Sequence, residues 1–444
     1  MTSTVARDRY WDVVETQPRE RLRELQLQRL RRQLDYVGAH SDFYRAQWRD
    51  LGFEPGDVTA LDDLAALPVV GKSDYVAALA DAQPWGSFLA ATPDDVRRVH
   101  FSSGTTGAPT PVCWTARDLD RWADLWARMA YSQGVRSHDV YQCLFGYPWF
   151  VGGLGGTAGF GRIGATVIPA GSGDTDRQLD TIVRYGTTSV TGTPSFVLHL
   201  ADVAARNGRS LRDTAVRHIQ VGGEPGGGLP ATRAAIEQQW GARCYDGYGS
   251  LEFQPIAWEC EEQAGAHLAE DFTYAEVLDP DSLEPVPDGS PGVLVLTHPD
   301  KQACPLVRWW TGDVVVLDRD TCTCGRTHAR LAGGVLGRRG DMLVVRGVNV
   351  FPRAVEQLVR RTPHASGEYQ IVLSERVTDP ATGYLTGIEL RVETDVPDPA
   401  AFAEQLTAAV RAELNVRCYV DVVAVGTLPR STHKSKRVVR EGAT

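Results

Sequence analysis

No run of 18 apolar residues occurs in the chain, and its opening stretch, MTSTVARDRYWDVV, has no apolar core. The first absence excludes a membrane-spanning helix and the second a secretory leader, so the expected location is the cytoplasm. Basic residues are fewer than acidic ones, 46 against 56, which leaves a net charge of -10. A broad nucleic-acid surface needs clustered Lys and Arg, and no such partner is expected. The one basic run, RERLRELQLQRLRRQL at 19–34, alternates charge with Leu at helical spacing and reads as the exposed face of an amphipathic helix. There is no G-x-S-x-G elbow, internal repeat or low-complexity tract. The eight cysteines are scattered along the chain, unlike a secreted disulfide framework, which leaves thiols or metal ligands in a reducing compartment.

Hydrophobic content of 43% and charge of 23% are globular values, and 444 residues predict two domains or more. After a helix over 19–48 and a loop-rich segment, β-branched runs alternate with helical ones. VYQCLFGY, the Gly-rich GGLGGTAGFGRIG, ATVIPA, TSVTGT, HIQVGG and RCYDGYG are interleaved with helices at DRQLDTIVRYG, PSFVLHLADVAARNG and LPATRAAIEQQWG. This order predicts parallel βαβ units. Beyond residue 270, strand-like runs broken by turn clusters predict an antiparallel, barrel-like subdomain. A last unit beginning near GRRGDM reads as a small α+β domain. The expected fold is therefore α/β: a large N-terminal domain, 1–338, with βαβ sheets and a β-barrel-like subdomain, and a small α+β C-terminal lid domain, 339–444.

FSSGTTGAPT at 101–110 packs hydroxyls and glycines together without a charged side chain. It is not a Walker A loop, because Pro109 breaks the pattern and no Lys follows. Ser102, Ser103, Thr105 and Thr106 offer hydroxyl donors, while Gly104 and Gly107 allow backbone N–H groups to turn toward one anion. Read alone, the string is a phosphate grip or a flexible polar turn. Phe145, Tyr147, Trp149 and Phe150 precede a glycine run and suit either a pocket for a flat ring or an aromatic core. Cys322 and Cys324 in DTCTCGRTH, with Cys260 and His267 in ECEEQAGAH, offer three thiolates and one imidazole, the composition of a closed structural Zn2+ site. Free thiols are the alternative, and His328 is an alternative fourth ligand. Cys113, Cys143, Cys244, Cys304 and Cys418 read as small core residues.

FSSGTTGAPT resembles the signature loop of the adenylate-forming superfamily of acyl-CoA synthetases, adenylation domains and luciferases, and its SSGTTG-x-PT form is similar to that of phenylacetate-CoA ligases. The resemblance runs along nearly the whole chain, through FGYPWFVGGLG, VGGEP, DGYGSLE, WWTGD, GRRGDML and LPRSTHKSKRVV. It implies ATP with its β- and γ-phosphates on 102–107, and Gly222, Gly223, Glu224 and Pro225 against adenine and the aryl substrate. Further nucleotide contacts are implied at Asp246, Tyr248 and Gly249, with Asp313 and Arg338 on the ribose. It implies Glu252 as Mg2+ ligand, Lys434 as the catalytic lysine, and Phe145 and Phe150 against the ring. Taken without the resemblance, Asp313 is a turn aspartate and Lys434 belongs to a solvated tail.

The implied activity is that of an AMP-forming aryl-CoA ligase: ATP-dependent conversion of an aromatic carboxylic acid to an acyl-adenylate, then transfer to CoA. Three positions depart from the family pattern. Gly340 replaces the hinge aspartate, Leu251 precedes Glu252 where Ser or Thr is usual, and His433 adjoins Lys434. These departures keep other acceptors open, namely a carrier-protein thiol, an amine, or nitrite in diazotisation of an aminobenzoate. A homodimer is a further open partner. A reading from another class is a dinucleotide-binding oxidoreductase, because GGGLPA at 226–231 satisfies G-x-G-x-x-A and Asp246 lies twenty residues after Gly226.

Overall fold

The computed structural model describes residues 9–82, 84–102, 109–147, 151–346, 348–380, 384–429 and 437–441. The N-terminal basic run forms the helix Arg19–His40, which buries Leu22, Leu30, Leu34 and Val37. Its arginines are not all solvated, for Arg19 pairs with Glu270 and Arg29 lies 3.7 Å from Asp271, both acids being buried. The single helix expected over 19–48 is two. Ser41 is extended (φ -92°, ψ 119°) and donates its Oγ to the Ser87 carbonyl at 3.1 Å, so the chain turns there before the helix Asp42–Leu51.

Five parallel strands lie side by side in the order 166–168, 140–143, 189–192, 218–222 and 243–248. Their βαβ crossovers are the helices Val151–Ile163, Thr175–Arg184, Pro194–Arg206 and Pro230–Trp240. The antiparallel texture is present, but it begins earlier than residue 270 and does not stand apart. Strands from Ala257–Glu259 onward continue the parallel array into one twelve-stranded sheet.

The helix Val151–Ile163 is legible in the sequence only as a glycine-rich stretch. Glycine is a poor helix former, yet here close packing demands it. A Cβ at Gly155 would lie 2.3 Å from Trp126 Nε1, and one at Gly156 would lie 2.2 Å from the Tyr141 hydroxyl. The helix thereby sits directly against Trp126 and brings the Phe145–Tyr147 segment to the end of the neighbouring strand.

The strand Gly337–Arg338 pairs with 313–314, and the turn Arg339–Asp341 leads out of the large sheet. Beyond this turn the chain forms a hairpin of Leu343–Val345 and Val348–Val350, then a four-stranded sheet in the order 418–423, 388–394, 365–373 and 438–440. The helices Pro352–Arg361 and Pro399–Leu414 cover it through their own core of Val355, Leu358, Val359, Phe402, Leu406 and Val410. An α+β unit with a separate core agrees with the expected small C-terminal domain.

Candidate active site

Parallel strands place their functional loops at their carboxyl ends, because each crossover must leave there. Here Gly222 ends one strand and faces Gly247 on its neighbour. Their backbones approach so closely that a Cβ on Gly222 would lie 2.6 Å from the Gly247 carbonyl oxygen. Gly223 follows at φ +85°, a left-handed turn that a side chain disfavours. Gly223 is exposed at this edge, and Glu224 accepts a hydrogen bond from Ser195 N at 2.8 Å, tying the turn that ends at Pro225 to the adjacent helix start. Phe145 flanks the same turn, its Cε1 4.0 Å from the Cβ position of Gly223. Tyr147 packs beside Gly153 and Gly171 and shares a 2.8 Å hydrogen bond with Thr157.

Asp313, Tyr248 and Arg338 meet although the sequence separates them widely. Tyr248 donates its hydroxyl to Asp313 Oδ2, and Arg338 Nε lies 2.9 Å from Asp313 Oδ1. Arg338 also donates to the Thr311 carbonyl at 2.8 Å, while Asp313 N donates to Thr311 Oγ1 at 3.0 Å. The cross-strand pairing of Asp313 with Arg338 sets this geometry. Burial and the neighbouring Asp313 carboxylate push the Tyr248 phenol well above its ordinary pKa, so it remains a donor at neutral pH. The carboxylate is an acceptor only, with two oxygens to which donors can converge.

The stem of the 101–110 loop is closed by Ser102 N donating to the Thr110 carbonyl at 3.1 Å and Thr110 N donating to Ser102 Oγ at 3.0 Å. Ser103, Gly104, Thr105, Thr106 and Gly107 lie outside the described residues, as do Trp149, Phe150, His433 and Lys434. Residues flanking Lys434 are anchored on the C-terminal sheet. Leu428 N donates to Glu393 at 2.5 Å, and Arg437 pairs with Glu368 at 2.7 Å.

Glu252 is buried, in a turn fixed by Phe253, whose ring stacks 3.6 Å from that of buried His298. Its carboxylate receives Lys72 Nζ at 3.0 Å. Sequence reading missed Lys72, although a signal existed. A lysine at the first position of a helix, Lys72–Asp81, stands at the end where the helix dipole repels cations and therefore calls for an acidic partner elsewhere. The same helix reaches the strand that follows the 101–110 loop, because Tyr75 donates its hydroxyl to the Pro111 carbonyl at 2.9 Å.

Asp246 lies on the other side of the strand edge, with Gly249 farther along the turn beside Gln254. Burial first, and Glu259 second, push its carboxyl up to about 7, while Arg353 and Arg233 oppose the shift. Its Oδ1 is 2.5 Å from the Cβ position of Gly227, so the glycines of GGGLPA make room for this carboxylate. The glycines therefore have a packing explanation that needs no dinucleotide. Gly340 is exposed in the connecting turn with nothing within 4 Å of its Cβ position, and Leu251 packs against the main core.

A second cluster gathers at the antiparallel strands that follow. One ligand atom each from Cys260, His267, Cys322 and Cys324 lies within 4.8 Å of the others, and all four residues are buried. Cys324 Sγ is 3.6 Å from His267 Nε2. A hydrogen bond from Cys260, followed by the His267 contacts, holds the Cys324 thiol far below its usual range. His328 is not in the group. Its ring nitrogens lie 3.0 and 3.1 Å from the carbonyls of Leu268 and Val14. The cluster also bears on the N-terminal segment, since Tyr10 donates to the Cys324 carbonyl at 2.8 Å and Arg326 pairs with Glu15 at 2.6 Å. Cys113, Cys143, Cys244, Cys304 and Cys418 are buried, as expected of core residues.

The chain thus combines an α/β sheet, on which Tyr248, Asp313 and Arg338 meet, with a separate C-terminal α+β unit. The chain belongs to the AMP-binding enzyme family, whose model matches residues 29–301, while the family's C-terminal domain model matches 347–441. It is 39% identical over 391 residues to the phenylacetate-coenzyme A ligase of Thermus thermophilus, covering 87% of this chain and 85% of that one. It is 36% identical over 437 residues to the enzyme of the same name from Pseudomonas putida, covering 96% of both. Among solved structures it is similar to 2-hydroxyisobutyryl-CoA ligase at 28% identity. In the postadenylation state with 2-HIB-AMP the TM-score is 0.93, covering 98% of this chain and 93% of that one. The thioesterification state of that enzyme, with 2-HIB-AMP and CoA, gives a TM-score of 0.74 at 30% identity, covering 97% and 92%. This family membership excludes the oxidoreductase reading of GGGLPA. No described helix is long and apolar enough to cross a membrane.

Proposed function

We propose that the protein joins an aromatic carboxylic acid of the phenylacetate or benzoate type to CoA in two steps, using ATP. The observation that carries this reading is the Tyr248–Asp313–Arg338 group in a chain with phenylacetate-CoA ligases as relatives. The catalytic body is residues 1–338, and 339–444 form a mobile lid that turns about Gly340 between the steps.

In the first step the substrate carboxylate attacks the α-phosphorus of ATP and pyrophosphate leaves. Asp313 and Arg338 hold the ribose hydroxyls, with the acid already oriented by Tyr248. The turn Gly222–Pro225, with Asp246, Tyr248 and Gly249, borders adenine and substrate. Residues 102–107 hold the β- and γ-phosphates, and Phe145, Tyr147, Trp149 and Phe150 surround the ring. Lys434 stabilises charge developing on the α-phosphate oxygens. In the second step the CoA thiol attacks the acyl carbonyl, and AMP leaves with the electron pair of the cleaved C–O bond.

Glu252 is a buried carboxylate whose present partner is an ammonium, so its surroundings favour positive charge, and a Mg2+ ion fits that donor chemistry. When bound there, Mg2+ neutralises charge on the triphosphate oxygens. Incubation with ATP, Mg2+, CoA and a panel of phenylacetates and benzoates should yield AMP and an aryl-CoA thioester, identified by mass. AMP release with no thioester would reject CoA as acceptor and favour a carrier-protein thiol, an amine or nitrite. The departures at Gly340, Leu251 and His433 motivate including those acceptors in the panel.

The Cys260–His267–Cys322–Cys324 group fits a structural Zn2+ ion, since its donors are close enough for one tetrahedral centre and none is exposed. Such an ion would fasten the segment at Tyr10 and Glu15 to the Cys322–His328 loop. Zinc analysis of the purified protein should give about one ion per chain, falling close to zero in Cys324→Ser. That variant should lose several degrees of thermal midpoint. An unchanged midpoint together with no zinc in the parent would reject the assignment.

A further inference from the structure

The C-terminal unit reaches the large domain through one side chain that the mechanism above does not use. Arg353 is the second residue of the helix Pro352–Arg361, which packs against the helix Pro230–Trp240 of the large domain. Its Nη2 donates to the Gly228 carbonyl at 3.0 Å, and its Nη1 donates to the Val335 carbonyl. Gly228 belongs to the loop that begins at Gly223, and Val335 shortly precedes the strand Gly337–Arg338 that carries the second ribose contact. One guanidinium thus clips two loops of the nucleotide site to the C-terminal unit. Asp246 faces the same place, its Oδ2 lying 3.1 Å from the Cβ position of Gly228 while Arg353 Nη2 lies 3.4 Å from it. The acid and the guanidinium therefore flank a residue that has no side chain, and Arg353 acts on Asp246 as a nearby charge. Phe351 adds an apolar contact, with its Cδ1 2.1 Å from the Cβ position of Gly337, so only glycine admits the ring there.

The arrangement of the two units gives these contacts a meaning. The whole chain superimposes on one relative at TM-score 0.93 in the postadenylation state and at 0.74 in the thioesterification state. The Arg353 contacts accordingly belong to the first of two arrangements. We propose that Arg353 is a positioning residue for the adenylation half-reaction: it holds the C-terminal unit in this first arrangement by bridging Gly228 and Val335, and it releases them for thioester formation. This inference rests on the two-step reading given above. The guanidinium also offsets the burial and the Glu259 repulsion that act against the Asp246 carboxylate. Departure of the C-terminal unit would remove that charge and leave Arg233 acting on the acid.

The test separates the two half-reactions in Arg353→Gln, Arg353→Lys and the parent. Adenylation is read as acid-dependent exchange of labelled pyrophosphate into ATP. The second step is read as thioester formation from a synthetic aryl-adenylate and CoA. A hydrogen bond to a charged group shifts an equilibrium by about tenfold or more, so exchange in Arg353→Gln should fall by at least about tenfold. Thioester formation from the adenylate should stay within about twofold of the parent, and Arg353→Lys should recover part of the exchange. Circular dichroism and thermal midpoint establish that each variant is folded. If Arg353→Gln misfolds, the same comparison is made on Arg353→Lys alone, with a smaller loss confined to exchange expected. Equal losses in both half-reactions, or no loss in either, would overturn the proposal. Absence of exchange in the parent with every aryl acid overturns the two-step reading itself, a result distinct from failure of Arg353.

Discussion

Lys434→Ala is expected to slow adenylation by roughly 10²–10³-fold, since removal of one preorganised donor from a developing anion raises the barrier by about 3–4 kcal/mol. The loss should appear in kcat for pyrophosphate exchange, with ATP affinity little changed, because the ammonium meets charge that exists mainly in the transition state. Thioester formation from a supplied adenylate should survive, which separates a specific loss from a misfolded C-terminal unit. Arg437, three residues after Lys434 in sequence, is fixed to Glu368 on the C-terminal sheet. Exchange at the parent rate in Lys434→Ala would mean that this lysine belongs to a solvated tail.

Asp313→Ala should act on binding instead. The carboxylate is buried and accepts from Tyr248 and Arg338, and the proposed reaction assigns it two ribose hydroxyls as well. Each hydrogen bond to a charged group contributes about 1.5–3 kcal/mol, so loss of two should raise the ATP KM by roughly 10²-fold or more. The half-buried Tyr248 phenol would also lose its acceptor, and some thermal stability should go with it. Asp313→Asn keeps an acceptor oxygen and should fall between. An Asp313→Ala enzyme with the parent's ATP KM would return this residue to the role of a turn aspartate.

The features most readable from sequence are those in which residue type alone restricts the chemistry. Asp313 and Arg338 sit in short motifs, and the structure makes them cross-strand partners. Three cysteines and a histidine separated by about sixty residues come together because antiparallel pairing of 266–267 with 330–331 draws the two segments to one place. Less readable are contacts whose partner lies on a distant element. Lys72 and Glu252 are 180 residues apart, and no local pattern names either as the other's partner. Arg353 lies in an ordinary amphipathic helix, and only the docking of two units shows what it touches. The helix at 151–163 is obscured because local propensity and tertiary packing disagree, with Trp126 and Tyr141 deciding the outcome. Ser41 illustrates the reverse case: one buried hydroxyl bonded across the chain ends a helix that periodicity would have continued.

The most direct measurement is exchange of labelled pyrophosphate into ATP, without CoA, driven in turn by phenylacetates, benzoates and amino- or hydroxybenzoates. The proposed first half-reaction requires Mg2+-dependent exchange with at least one of these acids and none without an acid. No exchange with any member of the panel, by folded protein that binds ATP, would contradict it.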